Sequence, residues 1–141
     1  MDVQTSLHQT QRILDISRDL ISALSLDTVL HKIIHAALEL TGSESAGILL
    51  FDEALDALRF VALTSHEDQL LDVLVPIDCS IAGASFASGE PLVVSDVRGD
   101  PRYYARLEQA TGFQARSLLV APLQFKGHKI GVLKVENKRI G

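Results

Sequence analysis

The sequence predicts an α+β domain: a six-stranded, mostly antiparallel sheet with N-terminal helices on one face and two short helices over the other. Three observations carry that expectation. Two helical stretches precede the first strand, and the strands that follow do not alternate regularly with helices as βαβ units would. Connections of hairpin length join the first strand to the second and the fifth to the sixth. A chain of 141 residues fits one domain, with about 68–70% of the unfolded surface buried.

The elements follow in order. Val3, Leu7, Thr10, Leu14, Ser17, Ile21 and Leu24 recur by four and three, the seam spacing of a coiled coil, and predict a helix over 3–24. A second stripe, Ile13, Ile16, Leu20 and Leu24, lies beside the first. The pair is compatible either with two separate contacts or with one wide core face. Ser25 is placed to N-cap a second helix, whose apolar positions Leu26, Val29, Leu30, Ile33, Ile34, Ala37 and Leu38 keep helical spacing up to a stop at Gly42. The period then changes to that of strands over 46–51 and 58–63, joined by a turn at 52–56, and over 73–77 after a polar loop. Ser80 to Ser88 predicts a short helix closed by Gly89. Glu90 precedes Pro91 and must be extended, so a strand restarts over 92–95. A turn-rich loop over 96–102 leads to a second short helix over 103–110. Strands over 117–123 and 130–135 flank a hairpin turn at 126–129.

Composition narrows the function. The net charge is −5 and Lys and Arg are scattered, the densest group being Lys134, Lys138 and Arg139. A nucleic-acid or anionic membrane surface needs clustered cations, so neither partner is expected. One cysteine, Cys79, excludes an internal disulfide and a cysteine-based zinc site. The first residues lack a basic region followed by an apolar one, and nowhere do 18 apolar residues run together. The expected location is cytoplasmic.

The stretch SIAGASFASGEP, Ser80 to Pro91, is crowded with side chains too small to fill a core. Either a short helix presses closely on the sheet for packing alone, or it roofs a small-molecule pocket. Ser80-Ile81-Ala82-Gly83, then Ser88 to Val97, Asp100-Pro101-Arg102-Tyr103, and Ser117 to Leu123 followed by Ile130-Gly131-Val132-Leu133 together resemble the GAF domain family, over about residues 25 to 138. The resemblance implies a PAS-like sensory fold within a larger signalling protein, divided here into an N-terminal signalling or dimerisation helix over 1–24 and a sensor domain over 25–141. It also implies a ligand pocket between sheet and short helices. The expectation is a regulatory, non-enzymatic domain, with a ligand-free dimerisation or adaptor module as the alternative.

Candidate ligand-binding residues are Ser80, Ile81, Gly83, Phe86, Asp96, Asp100, Tyr103, Tyr104 and Arg116. Polar groups and aromatics converging on an apolar cavity are what a small-ligand site needs. Asp96 and Asp100 equally suit turn and helix capping, and Arg116 equally suits a solvated strand end. Leu7, Leu14 and Ile21 are the expected homodimer contacts. A C-terminal output domain, such as a histidine kinase or cyclase, is expected beyond residue 141.

Other constellations carry less. His31, His35 and Glu39 share a helix face at metal-compatible spacing, but it is the polar face, and no metal is expected. Cys79 precedes a helix N-terminus, where the dipole favours a thiolate, or else it is a plain rim residue. Tyr103-Tyr104-Ala105-Arg106 holds no Cys or His, which argues against a bilin, and one cysteine is too few for the redox cycle of family members that reduce free methionine sulfoxide. Asn137-Lys138 matches only the opening of the motif of cyclic-nucleotide-binding members, so that ligand is not expected either. No Ser-His-Asp order, phosphate-binding loop or convincing carboxylate pair supports catalysis.

Overall fold

In a computed structural model of the chain, residues 3–64, 71–104 and 115–138 are described, with side chains outside 13–24. The two predicted N-terminal helices are one, α1, running unbroken over Val3–Thr41. Ser25 therefore does not cap a second helix. With no Gly or Pro near it, a mid-helix serine costs only a few tenths of a kcal/mol against alanine, too little to interrupt the backbone. Gly42 ends α1 as expected, with φ +61 and its N–H bonded to Leu38 O at 3.0 Å. The chain falls into two compact units, 1–30 and 31–141. The described part of the first is helix alone, with Val3, Leu7, Leu26 and Val29 half or more exposed.

The second unit holds the end of α1 and the sheet. Strands β1 (Ser43–Asp52), β2 (Ala57–Leu63), β3 (Leu74–Pro76), β4 (Leu92–Val94), β5 (Leu118–Phe125) and β6 (His128–Lys138) lie in the order β3-β2-β1-β6-β5-β4. Every neighbouring pair is antiparallel. Both expected hairpins are present. Asp52 Oδ1 accepts from Leu55 N–H in the first, at 3.1 Å. In the second, Lys126 and Gly127 both take positive φ, as a two-residue turn matched to strand twist requires.

The short helix α2, Ile81–Ser88, covers one sheet face. Its Ala82 and Phe86 pack with Leu49, Leu58, Phe60, Val75 and Val132. Its Ile81 packs with Val94, Val97, Leu118 and Val120. Burial of side chains such as Leu49 and Phe60 stabilises the fold by about 1.5–3 kcal/mol each. A single 3-10 turn, Val97–Gly99, follows β4 where a loop was expected. The second short helix, expected over 103–110, lies outside the described residues beyond Tyr104. Among those residues no helix is long and apolar enough to cross a membrane.

Candidate functional site

The site is built on the entry to α2. Ser80 has extended backbone, and its Oγ accepts from Gly83 N–H at 2.9 Å, so it is the N-cap the sequence anticipates. The same hydroxyl donates to Pro76 O, which ties the helix start to the end of β3. Gly83 sits so close to the backbone that an added Cβ would lie 2.1 Å from Ile77 O. Ser85, fully buried, donates to Glu90 O at 2.8 Å. Gly89, at φ +73, closes the helix, and Lys129 Nζ donates to Ala87 O at 2.5 Å. Close approach and local hydrogen bonds thus account for Ser80, Gly83 and Ser85. The small side chains seat α2 on its neighbours, as the packing alternative holds.

What packing alone leaves unexplained lies underneath. Leu49, Ser80, Ile81, Tyr103, Tyr104 and Lys134 are among the residues lining a chamber of about 30 Å3. That is room for one or two waters, against roughly 300–1,000 Å3 for a drug-sized ligand site. Lys134 reaches it from β6. Its side chain is 13% exposed, its ammonium is 2.9 Å from Glu136 Oε1, and it stands 5.4 Å over the Phe60 ring, within cation–π range. Alternation along β6 puts Val132, Lys134 and Glu136 on one face, and Val132 belongs to the core beneath α2.

The structure brings Ser80, Ile81, Tyr103 and Tyr104 to this chamber. The other candidates stand elsewhere. Phe86 stacks on Phe51 with ring centroids 4.8 Å apart, and Gly83 faces Ile77. Asp96 is exposed and caps the 3-10 turn, its Oδ1 accepting from Arg98 N–H at 3.1 Å. Asp100 is held by Arg102: Oδ1 accepts from Nε at 3.0 Å and from the backbone N–H at 2.8 Å, and Oδ2 from Nη2 at 2.7 Å. Those bonds pull its carboxyl down to about 2. Arg116 points to solvent and pairs with Glu44 at 2.7 Å. Leu7 is exposed, while the side chains of Leu14 and Ile21 lie outside the described residues.

Cys79 is exposed, and partial desolvation together with the adjacent Asp78 carboxylate holds its thiol above the ordinary cysteine value. Among the described residues no three His, Cys, Asp or Glu side chains are grouped to hold a metal ion.

Sequence reasoning missed Lys134, grouping it with the basic C-terminal end. The signal was its parity with Val132 on an alternating strand. A larger groove of about 430 Å3 lies elsewhere, with Leu40, Val93, Leu119, Val135 and Lys138 among its lining residues. Thr41, Ser43, Ser95 and Ser117 add hydroxyls to that groove, but its cation, Lys138, is exposed, whereas the Lys134 side chain in the smaller chamber is largely buried.

A family model described as GAF domain matches residues 25–140. The chain is 26% identical over 140 residues to the "Probable 3',5'-cyclic phosphodiesterase pde-5" of Caenorhabditis elegans, covering 92% of this chain and 19% of that protein. It spans about a fifth of that relative. Residues 122 to 287 of a methyl-accepting chemotaxis protein superpose with TM-score 0.67 at 25% identity, covering 87% of this chain and 79% of that one. Free methionine-R-sulfoxide reductase from Neisseria meningitidis, solved with its substrate, gives TM-score 0.66 at 25% identity, covering 81% and 64%.

Proposed function

We propose, from the premise that this chain belongs to the GAF domain family, that it is the small-molecule-sensing regulatory domain of a larger signalling protein. The observation that supports a ligand is Lys134. A largely buried ion pair contributes little to stability compared with well-packed apolar side chains, so packing gives no reason to place an ammonium beneath α2. A small anion or carboxylate gives one. Ser80, Tyr103 and Tyr104 surround it, and Glu136 holds the ammonium until a ligand takes its place. The chamber then widens by displacement of α2 and its flanking loop, because its present volume admits only water. Ligand binding shifts the domain only by favouring one arrangement over another, a coupling of typically 1–3 kcal/mol.

Its output passes through α1 in a homodimer. The exposed Val3, Leu7, Leu26 and Val29 supply apolar surface on that helix for a second copy. Replacing Leu14 and Ile21 by Glu is expected to give monomers, and an unchanged mass by analytical ultracentrifugation would count against the seam.

The domain is regulatory rather than catalytic. The reductase among its structural neighbours acts on free methionine sulfoxide, and a cycle of thiol and disulfide chemistry needs a partner for Cys79 that this sequence lacks. The small chamber favours a second reading, a ligand-free adaptor whose interior is filled by its own side chains. Native mass spectrometry separates the two. A sensor retains a small molecule or acquires one on titration, whereas an adaptor stays at the mass of the bare chain under every condition.

A further inference from the structure

Because β6 is inserted between β1 and β5, the first and last strands of the sheet run side by side, with Ser43 opposite Lys138 and Ser45 opposite Glu136. Three polar side chains far apart in sequence meet at that corner. Asn137 is 1% exposed and has φ +57, a left-handed conformation that asparagine tolerates better than most residues. Its Oδ1 accepts from Arg116 N–H at 2.6 Å and from Ser117 N–H at 3.2 Å. Its Nδ2 donates to Glu44 Oε2 at 3.2 Å, while Glu44 Oε1 accepts from Arg116 Nη2 at 2.7 Å. Backbone bonds reinforce the corner: Asn137 N–H to Ser117 O at 2.9 Å, and Lys138 N–H to Ser117 Oγ at 3.2 Å.

What surrounds the corner gives it a further role. Ala115 lines the chamber under α2. Arg116 O accepts from Val97 N–H at 2.9 Å, which ties the same backbone to the turn after β4. Glu44 stands three residues after the end of α1, and Asn137 one residue before the end of β6.

We propose that Glu44, Asn137 and Arg116 form a latch that fixes the chamber rim at Ala115–Ser117 to both chain ends of the domain, the step from α1 into β1 and the exit from β6. Movement of the rim withdraws two N–H donors from a buried carboxamide. An unsatisfied buried amide is costly, so the two chain ends must shift with the rim. The latch needs no bound ligand, and its failure leaves the sensing role untouched.

Amide hydrogen exchange by NMR on the 141-residue chain tests it. Asn137→Gly keeps the left-handed backbone without strain and removes the carboxamide. It is expected to raise exchange at Arg116 and Ser117 by about tenfold or more, the cost of losing one hydrogen bond. Residues 43–46 and Val97 should accelerate with them, while Leu58 in β2 stays unchanged. Glu44→Gln, which keeps the shape and weakens the Arg116 pair, should produce a smaller rise over the same residues, and it carries the test if the glycine variant does not fold. The latch is overturned by any other pattern: acceleration confined to Arg116 and Ser117, a uniform rise that includes Leu58, or no change.

Discussion

Asp100 is the residue whose ionisation the fold most visibly controls. Arg102 bonds to both of its oxygens, and the Arg102 backbone N–H adds a third contact, so its carboxyl is lowered to about 2. An unperturbed aspartate titrates near 3.9. A folded value below the unfolded one contributes stability that is fully present above about pH 4 and is lost as pH falls towards 2. The stability difference between wild type and Asp100→Asn, read from urea midpoints, is therefore expected to shrink as pH falls from 5 to 2. A gap that stays constant across that range would contradict the assignment. Asp52 is lowered in the same direction by Arg59, with Leu55 N–H assisting. Both aspartates are thus committed to local structure. That commitment was only half legible in the sequence, which offered Asp100 equally as a turn residue and as a ligand contact. Spacing alone does not say which way a carboxylate turns, and the nearby Arg102 decided it.

Among the elements, α2 was the most legible. Ser80 before it, Gly89 after it and Pro91 beyond fixed its ends, and the structure has it over Ile81–Ser88. Its small residues were legible as a pattern but not as a cause, because only coordinates show that Gly83 faces the Ile77 backbone. Gly83→Ala must displace backbone rather than a flexible side chain, and should destabilise by about 1–3 kcal/mol, the range of overpacked cores. Gly99→Ala meets nothing within 4 Å and is the control, expected to change the urea midpoint little. Equal effects of the two would refute the close-approach argument. The longest element was the least legible at one point. Ser25 followed by Asp27 reads locally as a helix start, yet a helix that already has turns on either side needs no new cap.

For the molecule as a whole, the antiparallel sheet was legible from hairpin spacing, but its strand order was not. Placing β6 between β1 and β5 joins segments some ninety residues apart, as the bond from Asn137 to Glu44 records, and no local pattern announces such a partner. The same non-local pairing concealed Lys134. Its meaning depends on β6 being central and on α2 lying above it. The candidate site is therefore part legible, in Ser80, Ile81, Tyr103 and Tyr104, and part a product of topology.

Thermal unfolding of wild type and Lys134→Met, each against a panel of organic acids, amino acids, nucleotides and inorganic anions, tests the role of that buried ammonium most directly. A ligand selective for the folded state must raise the melting temperature. The expected result is at least one anionic compound that stabilises wild type and loses its effect in Lys134→Met, whose own melting temperature is lower because Glu136 is left without its cation. A melting temperature that no anion raises, or one raised equally in both proteins, would contradict a ligand seat on Lys134.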